Sequence, residues 1–170
     1  LLHDVFGVGF DEVAQTIGRE AAACRPLASR ARTHVRAARP RFPLSKERGL
    51  AIAAAFFAAS RNGDMAQLRS LLTADAAFYA DGGGKTPAAR RPIVGIDAVV
   101  RLHESLMHIF ARTMSRIVRY GLVNGLPGFV SIEHDGILQT TALQVEDGKI
   151  AAIYAVRNPD KLAHLAGDSL

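Results

Sequence analysis

The stretch Asp81-Gly82-Gly83-Gly84-Lys85-Thr86, DGGGKT, can be read in two ways, and the fold follows from the choice. Its last three residues are how a phosphate-binding loop ends. Such a loop also needs a glycine five positions before the Gly-Lys pair and a helix after it whose N-terminus faces the phosphates. The glycine position holds Tyr79, and the continuation TPAARRP carries Pro87 and Pro92, which prevent a long helix. The nucleotide reading fails on both counts. What remains is a sharp bend at a strand end, where glycine is the usual residue, or a loop whose backbone meets a partner closely.

The flanking sequence supplies the strand. Ala76, Phe78 and Ala80 alternate and run into the glycines. Upstream, the pattern predicts a helix from about Glu47 to Arg61, a break at Asn62-Gly63-Asp64, and a short helix through Leu68, Leu71 and Leu72. Downstream, Ile93 to Gly95 is extended and a helix runs from about Ile96 to Ala111. Four strand-like runs follow, Met114–Val123, Phe129–His134, Leu138–Glu146 and Ile150–Val156. Asn124-Gly125, Asp135-Gly136 and Asp147-Gly148 separate them, and such pairs signal hairpins because they tolerate positive φ. Helices followed by an antiparallel meander predict an α+β domain in which a curved sheet wraps around helices.

The N-terminal part is different. Phe10, Val13, Ala14 and Ile17 recur at helical spacing, with Asp11 and Glu12 where acidic groups suit the helix dipole. Gly18 stops that helix, and a second begins near Glu20 with Ala23, Cys24, Leu27, Ala31 and Val35 on its apolar side. Two helices joined by a tight glycine turn form a helix-turn-helix. Pro26 lies inside the second helix, so a kink near Ala22 to Arg25 or a late helix start is expected. RAARPRFPLSKER then reads as a linker.

Charge follows this division. Arg19, Arg25, Arg30, Arg32, Arg36, Arg39, Arg41, Lys46 and Arg48 face only Glu20 and Glu47, whereas the chain from Gly49 onward is nearly balanced. A basic cluster in one short segment is the footprint of nucleic-acid contact, or of a solvated basic face. With 6% aromatic residues and no tryptophan, the core must be filled by Ala, Leu, Ile and Val. The longest apolar run, Leu50 to Ala59, is too short to span a membrane. A first residue of Leu and no basic-apolar-small order predict a fragment lacking its N-terminal part, without a signal peptide. The single cysteine excludes an internal disulfide and a cysteine-based zinc site, and points to a reducing cytoplasm.

FDEVAQTIGREAAACRPLASRAR, Phe10 through Arg32, resembles region 4 of sigma-70-type factors of the extracytoplasmic-function kind. The second module resembles the SnoaL-like, nuclear-transport-factor-2-like cone, and DGGGK (Asp81, Gly82, Gly83, Gly84, Lys85) with NPDKL (Asn158, Pro159, Asp160, Lys161, Leu162) resembles the sigma factor J-like subgroup, in which a SnoaL-like extension follows region 4. The resemblance implies an α+β chain: a sigma region 4 helix-turn-helix over residues 1–38, a linker over 39–46, and a SnoaL-like regulatory cone with a curved antiparallel sheet over 47–170. It implies an alternative sigma factor fragment that recognises the promoter −35 element, with the extension regulating sigma activity in cis. Expected partners are promoter DNA, the RNA polymerase core and the missing N-terminal sigma region of the same protein, with no membrane and no cofactor. DGGGK and NPDKL are expected to touch the sigma core.

Within the helix-turn-helix, Arg25 and Arg30 match basic positions of the sigma pattern and suit guanine, whose O6 and N7 accept both prongs of a guanidinium. Arg19, Ser29, Arg32 and Arg36 are expected on phosphates. The alternative is a cone-fold enzyme or small-molecule sensor, with Tyr79, Asp81, His103, Tyr120, Glu133 and Tyr154 as pocket groups. No acid-base pair can be assigned from their spacing, and no catalytic residue is expected. His103 and His108 are five apart, on different helix faces, so a helical metal pair is not expected. His134 is expected to be exposed beside its turn and Cys24 to be core.

Overall fold

The computed structural model describes residues 7–37, 44–110 and 114–165, the side chains of residues 32–37, 108 and 110 excepted. The chain divides into two compact units, Leu1–Pro43 and Leu44–Leu170. Most of the expected linker, residues 39–46, lies outside the described residues.

The first unit holds helices α1 (Phe10–Ile17) and α2 (Ala21–Ala37). Gly18 ends α1 at φ 65°, and the Arg19 and Gly18 N–H groups donate back to the carbonyls of Ala14 (3.0 Å) and Gln15 (3.4 Å). This closure satisfies the last carbonyls of α1 and needs a left-handed residue, hence the glycine. Ala14 and Cys24 are buried, and the Cys24 thiol donates to the Glu20 carbonyl at 3.4 Å. Of the two outcomes expected of Pro26, a late start does not occur: α2 begins at Ala21 and continues through the proline.

The second unit opens with α3 (Lys46–Asn62), capped by the Ser45 hydroxyl, which accepts from Arg48 N–H, and closed by Gly63 at φ 78°. Asp64 caps the short α4 (Met65–Leu71), and β1 (Leu72–Asp81) follows at once. Leu72 therefore belongs to the strand and not to the helix the apolar spacing assigns it to. Next come β2 (Ile93–Val94), α5 (Ile96–Phe110), β3 (Arg116–Val123), β4 (Leu126–Ile132), β5 (Leu138–Glu146), β6 (Lys149–Val156) and one turn, α6 (Pro159–Leu162). β4 begins before Phe129, at positions whose Pro-Gly pair argues against a strand. Gly128 is required there, because a Cβ would lie 2.0 Å from the Thr141 carbonyl oxygen.

The six strands form one sheet in the order β2-β1-β6-β5-β4-β3. β3 to β6 are the antiparallel meander, with Asn124 (φ 51°), Gly125 (φ 81°), Asp147 (φ 49°) and Gly148 (φ 79°) in left-handed turn positions. β1 adds a parallel pairing with β6, so the sheet is mixed. Its inner face packs on α3, α4 and α5 through Phe56, Leu68, Val99, Phe129, Leu143 and Ile153, all fully buried or nearly so. Phe129 takes Phe57 edge-on at a centroid distance of 5.2 Å and lies 6.4 Å from Phe56. Aromatic packing thus concentrates where α3 crosses the sheet.

Candidate functional site

The parallel pairing of β1 with β6 brings DGGGK and NPDKL together. The strands run in register from Ala77↔Ala152 to Asp81↔Val156 and release the chain at the same sheet end, where Arg157 N–H donates to the Asp81 carbonyl at 2.7 Å. The Asp81 carboxylate then accepts Gly83 N–H (2.8 Å), and the Gly82 carbonyl accepts the N–H groups of Lys85 (3.0 Å) and Thr86 (3.1 Å), which makes the bend. On the other strand, Asn158 caps α6 by accepting Asp160 N–H, with Pro159 in the first helical position, where a missing N–H costs nothing.

Two ion pairs cross between the motifs. Lys85 Nζ lies 2.7 Å from both carboxylate oxygens of Asp160, and Lys161 Nζ lies 2.8 Å from Asp81 Oδ2. The Lys161 ammonium and the Gly83 N–H hold Asp81 below the usual carboxylate range. These pairs are exposed, and such pairs contribute roughly 0–1 kcal/mol each. The fixed part of the clasp is steric. Gly83 has φ 61° and no room for a Cβ, which would lie 2.4 Å from Asn158 Cγ, and at Gly82 a Cβ would meet the Thr86 carbonyl at 2.2 Å. Leu162 and Asn158 are buried beneath it, while Gly84 (φ 70°) borders open space. No helix follows the glycines, and Lys85 is turned to a carboxylate, so the loop makes no phosphate cradle.

A cavity of about 450 Å³ opens inside the cone, between the inner face of the sheet and helices α3 and α5. Phe56, Phe78, Leu102, Leu106, Ile109, Ile153 and Ala155 give it an apolar wall. Its polar groups come from five places in the chain. Arg61 donates to Glu133 (2.8 Å) with its guanidinium 5.2 Å from the Phe57 ring centroid, and Glu133 also accepts from Ser115 and Ser131 at 2.7 Å each. Burial pushes Glu133 up, but the Arg61 charge and these three hydrogen bonds hold it below the usual range. At the rim Arg157 pairs with Asp135 and donates to the Pro87 carbonyl (3.0 Å). Burial also raises Asp135, and Arg157 more than reverses this. Gln139 donates to Thr141 at 3.0 Å.

His103 is 3% exposed, edge-on to Phe56 and Phe78, and burial drives its imidazole down to about 4. The ring is therefore neutral. Its Nδ1 lies 2.9 Å from the Val99 carbonyl, which can only accept, so Nδ1 carries the proton and Nε2 is an acceptor on the ring's distal edge.

Of the pocket groups expected from sequence, only His103 and Glu133 line the cavity. Tyr79 and Tyr154 stack on each other at 5.2 Å on the opposite side of their strands from Phe78 and Ile153. Tyr120 is exposed, and Asp81 belongs to the clasp. His134 is half-buried on the cavity wall, between Glu133 and Asp135, not exposed as its turn position implies. Arg61, Arg157, Ser131 and Thr141 carried no local signal; spatial convergence alone makes them a site. Among the described residues no group of three His, Cys, Asp or Glu could hold a metal. The His108 side chain lies outside the described part.

In the first unit, Arg19, Arg25, Ser29 and Arg30 are exposed. The Arg25 guanidinium rests 5.8 Å from the Phe10 ring centroid. Arg32 and Arg36 lie on α2, and their side chains fall outside the described part.

No family model matches the chain. It is 36% identical over 174 residues to the ECF RNA polymerase sigma factor SigJ of Mycobacterium tuberculosis, an alignment that takes in 95% of this chain and 54% of that protein. The crystal structure of M. tuberculosis SigJ is similar with a TM-score of 0.63 at 34% identity, over 95% of this chain and 57% of that one. A SnoaL-like protein from Burkholderia thailandensis shares the cone fold, with a TM-score of 0.55 at 9% identity, over 66% of this chain and 97% of that one. The chain spans about half the length of the curated relatives it matches. Similarity to an extracytoplasmic-function sigma factor runs through both units, so the chain resembles SigJ over its basic helical unit as well as over its cone.

Proposed function

We propose that this chain is part of an alternative sigma factor, in which the first unit recognises the promoter −35 element and the cone regulates sigma activity in cis. The observation that carries this reading is similarity at 36% identity through both units, not through the cone alone. The partners are promoter DNA, the RNA polymerase core and an N-terminal sigma region of the same protein, in the cytoplasm. No described helix is long and apolar enough to cross a membrane. The chain performs no chemistry in this reading.

On DNA, α2 enters the major groove, with Arg30 and Arg25 facing base edges. Arg25 gives up its Phe10 stacking, a contact of roughly 0.5–1 kcal/mol at an exposed site, to reach a guanine. Arg19, Ser29, Arg32 and Arg36 hold phosphates. Arg30→Ala is expected to cost about 1–3 kcal/mol at one base pair and relax specificity there. Arg19→Ala should weaken all sequences alike and reduce the slope of log K against log salt by about 0.9. Binding titrations at several salt concentrations measure both, and an Arg30→Ala loss spread evenly over every sequence removes Arg30 from base reading.

Run-off transcription with core polymerase tests the whole reading. The complete parent protein is compared with versions cut just before Asn158 and just before Glu47, and the cuts are expected to change promoter-dependent output in different ways. No promoter-specific transcript from any version would overturn the sigma assignment. The clasp has its own test, because reversing both charges, Lys85→Asp with Asp160→Lys, keeps the ion pair within the chain. If the two residues serve only the clasp, the double variant restores wild-type output. If they contact the sigma core, as the resemblance implies, output stays altered.

A further inference from the structure

We propose that the cone cavity is the binding site of a small effector: an uncharged, largely apolar molecule that carries a hydrogen-bond donor and an acceptor oxygen. The volume, about 450 Å³, falls within the range of roughly 300–1,000 Å³ typical of small-molecule sites. The walls are apolar, and two polar groups on them suit an uncharged occupant. His103 Nε2 is a lone acceptor among Phe56 and Phe78, and a donor from the ligand satisfies it. Arg157 Nε is buried without a hydrogen-bond partner at the rim, and an acceptor oxygen satisfies it. Leaving the Arg157 Nε–H unpaired costs about 1–3 kcal/mol, which an occupant with a matching oxygen recovers.

Charge excludes the other ligand classes. Arg61 is neutralised by Glu133 and Arg157 by Asp135, so the cavity offers nothing to a nucleotide or another polyanion.

The site is wired to the clasp. The strap Pro87–Ala89 lines the cavity and follows directly from DGGGK and Thr86. Arg157, which immediately precedes NPDKL, holds that strap through the Pro87 carbonyl, and the Thr86 hydroxyl donates to the Arg157 carbonyl at 3.2 Å. An occupant touching Arg157 therefore pulls on both motifs at once. That consequence for regulation rests on the function proposed above; binding itself does not.

The test uses the full chain and N-phenyl-1-naphthylamine, an uncharged aromatic probe with one N–H donor whose fluorescence rises in apolar surroundings. The expected result is saturable binding of one probe per chain, with amide shifts at Phe78, Leu102 and Ile153. The sulfonated analogue 8-anilinonaphthalene-1-sulfonate is expected to bind more weakly, and ATP not at all. His103→Phe keeps the aromatic packing but removes the acceptor, and should weaken the probe about five- to tenfold. Leu106→Trp, which fills the cavity from a half-buried position, should weaken it at least about tenfold. Unsaturable binding, or shifts confined to the outer face around Tyr79 and Tyr154, overturns the proposal. So does unchanged affinity in both variants. The shift mapping uses wild-type protein, so a variant that fails to fold does not remove the test.

Discussion

Gly83 shows how much a single atom decides at the residue scale. Its φ of 61° strains any side chain, and a Cβ would lie inside the Asn158 amide. Gly83→Ala should therefore destabilise the cone by about 1–3 kcal/mol and open the clasp, whereas Gly84→Ala, facing open space, bears only the backbone strain. Urea unfolding followed by tyrosine emission measures both, since Tyr79, Tyr120 and Tyr154 all lie in the second unit. Equal costs at the two positions would leave the Asn158 contact without weight. His103 makes stability depend on pH. Its folded value of about 4 lies below the ordinary 6.5, so between these the unfolded chain binds a proton that the folded chain refuses. Stability is full above about pH 6.5 and falls by about 3 kcal/mol in all as the pH drops through 4. His103→Phe should flatten that window. Glu133, held low, loses its contribution in the same direction but only as the pH falls below the ordinary carboxylate range. Glu133→Gln leaves Arg61 buried without its counter-charge and is expected to cost about 3–5 kcal/mol at neutral pH.

At the element scale, α2 and the β1–β6 pair carry the consequences. Pro26 cannot donate to the Ala22 carbonyl, yet α2 spans it. Pro26→Ala should stabilise the helix by up to about 3 kcal/mol, visible as slower amide exchange over Ala22–Leu27. No change in exchange there would mean that the helix already absorbs the proline without strain. The helices of both units were legible in sequence because their stop signals, Gly18 and Gly63, coincide with the ends of the apolar periods. The meander was legible from Asn124-Gly125 and Asp147-Gly148, which do take the positive φ they advertise. The parallel partner of β6 was not, since strand pairing between β1 and β6 leaves no periodic trace in either segment.

At the scale of the whole molecule, the second unit owns a complete buried core, from Ala53 to Ile153. Residues 44–170 alone are accordingly expected to unfold in one cooperative urea transition; a broad, non-cooperative one would place part of that core's support elsewhere in the chain. The sequence by itself determined the α+β class, the division into a basic helical module and a cone, and the two motifs, because turn chemistry, hydrophobic period and charge are local properties. The tertiary structure decided what those pieces do to one another. Lys85 meets Asp160 only because β1 and β6 run parallel to a common end. The cavity exists only because Arg61, His103, Glu133, Thr141 and Arg157, from separate segments, converge on one space. Such convergence depends on long-range packing, and spacing along the chain does not encode it.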